Sequence, residues 1–506
     1  MIPVKSPRTF MDYLPLFFFL LVYFVLALFT YRDFGIDWDE FSVYSRGDEL
    51  LRFLTGKDPA VTMFLVKPAH DVVDGWISYS YWYPMLLRVL NPAFSFEVFH
   101  MLNIGFASLV FVCAYALLLA QYQSAWKALL GPVFLLLTPR FLGLIPFDVR
   151  DISFCVFYLL ALTAIFKWGD HPAWIRVPVL GLLFGLAISL RLVGASLFFI
   201  WTLFYIFERM EELKFQRSIF FARDIFLVLV LSVLVMLPTW PYLREDFFHH
   251  LLEIIQTSRH FPMEVQFLFA GHMVSSFNLP WFYLPLWWLV SMPLFILVLA
   301  GGVFYWGRPI GHNRLLVFLL IALGVNLALV LALQPAVYLS ARHFLYLVPL
   351  LVLVAALSAI EASRFLAGTP WLRLGIALLA ANGAIVAVHL VLLHPYEYVY
   401  FNELTGGLQG AYGNYEIEER GTSAKEAVDW LKVHEWTDLK KTYTAACYQE
   451  PFQTIYYLPK NVKYELDKDK AQYLITMPFS GHHHFLNPRL YSVTREGVDL
   501  MDIYQK

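Results

Sequence analysis

The sequence from Leu14 to Tyr31, LPLFFFLLVYFVLALFTY, carries no charged side chain, and runs of this kind recur through the first four fifths of the chain. No other feature restricts the fold as strongly. Apolar segments near 20 residues long match the ~30 Å hydrocarbon core of a bilayer. In that core a backbone must satisfy its own hydrogen bonds, so each run is expected to be a helix. Eleven candidate spans emerge, at roughly 14–31, 97–120, 126–138, 152–167, 176–190, 192–207, 224–239, 284–305, 314–333, 343–360 and 372–393. The pair 176–190 and 192–207 also reads as one long helix kinked at Arg191, which would change the count. Charged residues make up 15% of the chain, against about 25% in soluble proteins. A polytopic α-helical membrane protein is the fold class this pattern defines.

Lys and Arg in short loops set orientation. Lys5, Arg8, Lys127, Lys167, Arg176, Arg209, Lys214, Arg217, Arg223, Arg308, Arg314, Arg364 and Arg373 fall on one side, which is assigned to the cytoplasm. The opposite side receives the loops 32–96, 139–151, 240–283 and 334–342, and the C-terminal tail. The outer loop 32–96 is patterned for helices. Tyr44, Gly47, Leu51 and Leu54 share a helical face, and Trp76 to Leu90 is aromatic and amphipathic, as in helices lying in the membrane interface. Beyond residue 393 charges become dense. SAKEAVDWLKVHEW reads as a helix, and KTYTAACY, AQYLITMP and LYSVTREGVDLMDIY read as strands. The expected organisation is a membrane domain over 1–393 and a small soluble α/β domain on the outer side over 394–506.

The polar residues on the outer side suggest chemistry. Asp37, Asp39 and Glu40 follow the first span, Arg140, Asp148, Arg150 and Asp151 lie between spans three and four, Arg191 sits between spans five and six, and Arg342 and His343 open span ten. All fall at one membrane depth, where ionisable groups are costly and face a cavity or a partner. Taken singly, each has a structural use. Asp37 or Asp39 caps a helix beginning near Phe41; Arg150–Asp151 is an ion pair; Arg191 snorkels; Arg342–His343 anchor at the interface. Together they fit a sugar linked to a lipid phosphate. Arginines stabilise the departing phosphate, and a carboxylate takes the proton of an attacking hydroxyl.

Other motifs carry less. The run His482, His483, His484 has no acidic or cysteine partner at ligand spacing, so no metal ligand is assigned. GGLQGAYGN (Gly406 to Asn414) lacks the preceding strand of a nucleotide fingerprint. Cys113, Cys155 and Cys447 make no disulfide framework. A formal net charge of −2 gives no electrostatic reason for nucleic-acid binding.

The acidic pair after span one, the long first outer loop with interfacial helices and the number of spans resemble the GT-C superfamily of polyprenyl-phosphate-sugar glycosyltransferases. Protein O-mannosyltransferases and the bacterial aminoarabinose transferase of lipid A belong to it. Three stretches look like its bacterial and archaeal mannosyltransferase-like branch: GIDWDEF, TPRFLGLIPFDVRDISF, and HPYEYVYFNELTGGLQGAYGNYE running on to GTSAKEAVDWL. The second resembles the pattern P-R-F-F-G-H-x-x-x-N-P-K-D-I-P-F. Here Asp148 stands for the usual Asn, Val149 for Pro and Arg150 for Lys, while Asp151 matches. The resemblance implies an inverting transfer with Asp39 as base, Glu40 beside it, and Asp151 as the second acid. Members differ in their need for a divalent metal ion.

The resulting expectation is an inner (plasma) membrane glycosyltransferase with its active site and C-terminus on the periplasmic or exterior side. It would use a polyprenyl-phosphate monosaccharide, undecaprenyl or similar, as donor. The acceptor would be an envelope glycan, lipid or protein, and membrane lipids surround the whole. Asp39, Glu40 and Asp151 are the catalytic candidates, and Arg150, Arg191, Arg342 and His343 the phosphate-binding ones. A transporter or flippase of lipid-linked glycans shares the layout, but predicts two matching halves with helices broken at mid-membrane; no internal symmetry is visible. An envelope scaffold predicts no convergence of these residues in space.

Overall fold

The structure is a computed structural model that describes residues 9–56, 79–168, 171–209, 215–259, 264–306, 313–335, 337, 340–478 and 488–506. Its dominant feature is a bundle of apolar helices. Eight are long and apolar enough to cross a membrane: Phe96–Tyr122, Val149–Trp168, Ala173–Leu190, Leu192–Arg209, Ile219–Thr239, Arg314–Leu333, Arg342–Phe365 and Pro370–Leu393. Leu14–Thr30, Ala125–Leu136 and Leu294–Trp306 are shorter apolar helices. Every apolar run of the sequence has thus become helical. The bundle has a centre and a rim. The most apolar windows of Val149–Trp168 and Arg342–Phe365 are 78% and 83% buried, against 11% for Pro370–Leu393. The two central helices both begin at the charged end of the bundle.

Two breaks shape that end. The stretch 176–207 is not one kinked helix. Ala173–Leu190 stops, Arg191 adopts extended backbone (φ −151°, ψ 130°), and a 3-10 turn Leu192–Ala195 restarts the chain. The run 284–305 divides into Tyr283–Ser291 and Leu294–Trp306. Pro293 lies at that break, where its ring and missing N–H prevent continuation of the helix before it.

The first long loop holds helices Glu40–Leu54 and Trp82–Leu90, while Trp76 to Ser78 lie outside the described residues. The buried face of Glu40–Leu54 runs through Val43, Tyr44, Gly47 and Leu50, whereas Leu54 is exposed. The face expected through Leu51 and Leu54 is therefore displaced. Its partner is the reason: a Cβ on Gly47 would lie 2.6 Å from the Pro84 carbonyl carbon, and Tyr44 stacks on Phe99 at 3.6 Å between ring centroids. Packing against Trp82–Leu90 and Phe96–Tyr122 fixes the helix's rotation.

The C-terminal region forms a five-stranded sheet. With β1 (Gln266–Phe269) and β2 (His272–Ser275) as a separate hairpin, the sheet consists of β3 (Tyr443–Cys447), β4 (Val462–Tyr464), β5 (Tyr473–Thr476), β6 (Arg489–Arg495) and β7 (Val498–Gln505) in the order β4-β3-β5-β7-β6. β4 and β5 run parallel to β3; β7 is antiparallel to β5 and β6. Helix Ala424–His434 buries Ala424, Ala427, Val428 and Leu431. β4, with three residues, is too short to show alternation in the sequence. His482, His483 and His484 fall outside the described residues.

Between the last apolar helix and the sheet, residues 394–422 press into the charged end of the bundle. Tyr396, Tyr398, Tyr400 and Phe401 are each 1% exposed. The approach is backbone to backbone. A Cβ on Gly35 would lie 2.0 Å from the Thr422 carbonyl oxygen, and one on Gly143 would lie 2.4 Å from the Tyr398 nitrogen. Neither obstacle is a flexible side chain. Gly143→Ala is therefore expected to cost ~1–3 kcal/mol and to lower the melting temperature of the detergent-solubilised protein. A melting curve matching the parent would contradict this seam.

Candidate active site

The turn after the first apolar helix is built by its own acids. Asp37 Oδ2 accepts from the Asp39 N–H at 3.0 Å, and Glu40 Oε2 accepts from the Asp37 N–H at 2.9 Å. Such local side-chain-to-backbone bonds favour turns and helix starts. Glu40 is fully buried, and His100 Nε2 lies 3.1 Å from its Oε2. Asp39 precedes the helix Glu40–Leu54, yet its side chain makes no capping bond. Of the acids after span one, Asp37 and Glu40 hold the turn while Asp39 projects from it.

Two arginines meet Asp39. Arg342 Nη1 donates to Asp39 Oδ2 at 3.1 Å, and Arg150 Nη2 donates to the same oxygen while its Nη1 donates to the Tyr79 hydroxyl. Arg150 belongs to the first turn of Val149–Trp168, whose start is tied down by Asp148 Oδ1 accepting from the Asp151 N–H at 3.3 Å. One turn therefore turns Arg150 toward Asp39 and Asp151 toward Arg191, with which Asp151 pairs. The extended backbone at Arg191 presents that guanidinium. His343, next to Arg342, lies within the electrostatic reach of Arg191, Arg342 and Arg150.

Beneath this layer lies Arg420, which sequence reasoning missed. It is 1% exposed, with Nε 2.7 Å from Asp37 Oδ1 and Nη2 3.4 Å from Asp148 Oδ2. One guanidinium from the C-terminal third ties the first loop to the second. Its backbone joins the same seam: the Arg420 carbonyl accepts from Trp38 N at 3.1 Å and from Gln453 Nε2 at 2.7 Å. The Asp at position 148, where the family-like pattern has Asn, thereby has a partner of opposite charge. Arg420 sits in the charge-dense run EIEERGTS, which composition alone marks as a solvated surface. Its place just before GTSAKEAVDWL was the available signal.

Exposure separates the groups. Asp39, Arg191 and Arg150 side chains are 30%, 24% and 21% exposed, whereas Asp37, Asp151 and Arg342 stand at 1%, 3% and 3%. Asp37 and Asp151 are enclosed, Asp39, Arg150 and Arg191 are partly open, and Arg342 meets Asp39 from the buried side. Electrostatics separates them in the same way. Burial pushes the Asp37 carboxyl up, more strongly than Arg420 pulls it down, with Asp39, Asp148 and Glu40 adding to the rise. Burial also raises Glu40 against the pull of His100. For Asp39 burial acts upward too, but Arg150, Arg342 and Arg420 together outweigh it and hold its carboxyl below the usual carboxylate range. Asp37 and Asp39, two residues apart, are thus driven in opposite directions. Arg140, at the same end of the bundle, stands apart from the cluster. Its guanidinium lies over Trp287 and Phe401 at 4.9 and 4.7 Å, and its Nε donates to the Tyr400 carbonyl at 3.1 Å.

Among the described residues no group of three or more His, Cys, Asp or Glu side chains is placed to hold a metal ion. Asp37, Asp39, Asp148 and Asp151 face arginines, and Glu40 faces His100.

The fold and the cluster define an architecture: a polytopic helical bundle with a charged site at one end, beside a small α/β domain. Solved structures share this fold. The chain is similar over 97% of its length to 97% of ArnT from Cupriavidus metallidurans bound to undecaprenyl phosphate, at 12% identity and a TM-score of 0.53. It is similar to the apo state of the same protein at 13% identity, a TM-score of 0.51 and 97% coverage of each chain. The likeness is one of fold. No family model matches the chain, and no curated protein matches it by sequence.

Proposed function

We propose that this protein is a membrane glycosyltransferase that moves a monosaccharide from a polyprenyl-phosphate donor to an envelope acceptor at the outer face of the inner membrane. One observation carries the reading: a partly exposed carboxylate, Asp39, shares a single oxygen with two arginines from different helices, Arg150 and Arg342. The undecaprenyl phosphate in the ArnT complex supports a prenyl phosphate as the lipid here. Asp39 is the base, Asp151 the acid that orients Arg191, and Glu40 the brace of the turn. Arg150, Arg191, Arg342 and His343 receive the phosphate.

The pairing has a mechanistic use. With Arg150 and Arg342 on it, Asp39 is ionised but a weak base. A donor phosphodiester carries one negative charge, as Asp39 does, but offers guanidinium two oxygens for bidentate bonds, and the departing polyprenyl phosphate gains a second charge. It draws the arginines to itself, and Asp39 regains basicity when a sugar is in place. The acceptor oxygen then attacks the anomeric carbon as its proton passes to Asp39. The carbon–oxygen bond to phosphate breaks, and polyprenyl phosphate leaves with the bonding electrons. A single displacement inverts the anomeric centre.

The test is transfer by the purified protein in nanodiscs, supplied with undecaprenyl-phosphate hexoses and pentoses and a detergent extract of the envelope. Label in the acid-stable envelope fraction supports the reading; none from any donor overturns it. The arginine pairing adds a pH prediction. Asp39 must be ionised, and Arg150 and Arg342 lower its pKa. The acid limb of kcat/KM is thus expected below the ordinary Asp value of ~3.9. Arg150→Gln moves that limb upward. A limb that stays in place would remove Arg150 from the control of Asp39.

A further inference from the structure

The C-terminal domain sends one loop down to the site. Residues 448–453 follow the carboxyl end of β3, the side of a parallel strand on which α/β folds place ligands. Two contacts clamp this loop over the Asp37–Asp39 turn. Gln453 Nε2 donates to the Ile36 carbonyl at 2.7 Å. Phe452 stacks on Phe41 with ring centroids 3.8 Å apart and planes 19° from parallel. Ile36 and Phe41 flank the acids on both sides.

One side chain of the loop, Gln449, is buried with its amide unused. Gln449 is 3% exposed, and neither amide atom has a hydrogen-bond partner among the described residues. A buried amide left so costs ~1–3 kcal/mol, a cost a ligand would remove. Glu450 is half-buried and feels the charge of Asp39: burial raises its carboxyl, and Asp39 raises it further, against a bond from the Phe452 N–H.

We propose that Gln449 and Glu450 form the acceptor subsite, a hydrogen-bonding wall for a polyhydroxylated, glycan-like acceptor. The inference rests on the transferase reading and adds to it. Charge assigns the walls. A lipid phosphate settles on arginines and is repelled by a carboxylate, so Glu450 does not serve the donor. A carboxylate and an amide accept and donate to hydroxyls, the groups an acceptor sugar presents. Glu450 is a positioning and specificity-determining residue, with Asp39 keeping the proton transfer.

The experiment uses the full chain in nanodiscs, with the donor that supports transfer and the envelope extract titrated as acceptor. Glu450→Gln and Gln449→Ala are expected to raise the half-saturating extract at least tenfold, with a smaller change in the rate at saturation. Undecaprenyl phosphate binding stays within twofold, and Glu450→Asp recovers part of the loss. A half-saturation point that does not move while the parent protein transfers sugar overturns the acceptor subsite and leaves the transferase reading standing. A lowered saturating rate with unchanged half-saturation also overturns it, assigning Glu450 to chemistry or folding. Transfer by no form of the protein, parent included, overturns both readings.

Discussion

Asp39→Asn is expected to reduce transfer by at least 10²–10⁴-fold, the usual contribution of a positioned base, while the protein folds and binds undecaprenyl phosphate. The substitution keeps the size of the side chain and removes only its charge and basicity. Asp37 and Glu40 cannot replace it. Asp37 is bound to Arg420 and the Asp39 N–H, and Glu40 to His100 and the Asp37 N–H. Donor affinity should rise in the variant, because Arg150 and Arg342 no longer have a carboxylate to leave. Transfer rates and lipid binding measured on the same preparation check both parts. Retained transfer would remove Asp39 from the chemistry, and lost lipid binding would point to misfolding.

Arg420→Ala is expected to be the most damaging substitution for stability. Removing one partner of a buried ion pair costs about 3–5 kcal/mol, because the other charge stays buried and alone. Here two carboxyls are stranded, Asp37 and Asp148. The sign with pH follows. Burial holds both carboxyls above their usual range even with Arg420 present. Loss of the guanidinium raises them further, so the folded variant binds more protons than the unfolded chain. Stability then falls as pH rises from the ordinary carboxylate range through the raised value. The deficit against the parent should be smaller at pH 5 than at pH 8, and adding Asp37→Asn should restore part of it. Equal deficits at both pH values would contradict the ion-pair account.

Much of this was legible in the sequence because a membrane simplifies the code. Apolar runs of bilayer length read directly as helical, and all of them are, with 284–305 broken in two at Pro293. The charges that interrupt them, Asp39, Arg150, Arg191 and Arg342, were visible for the same reason: in an apolar context a charge must have a use. The exact partners were not legible. That Asp39 takes Arg150 and Arg342, while Asp151 takes Arg191, depends on the single turn at Val149 and the extended backbone at Arg191. Arg420 was hidden because it lies in a stretch rich in charge, where one more arginine carries no information. Gln453 and Phe452 were hidden by distance, 417 residues separating Gln453 from its partner Ile36. How far the shared face of Tyr44, Gly47, Leu51 and Leu54 is buried was not legible, because tertiary neighbours decide it and leave Leu54 exposed.

The central claim is that a prenyl phosphate replaces Asp39 as the partner of Arg150 and Arg342. A cryo-electron microscopy structure of the protein in nanodiscs with undecaprenyl phosphate tests it most directly. The account predicts phosphate density within hydrogen-bonding distance of both guanidiniums, with the Asp39 carboxylate released from both. Phosphate bound elsewhere, or bound while both arginines remain on Asp39, would contradict it.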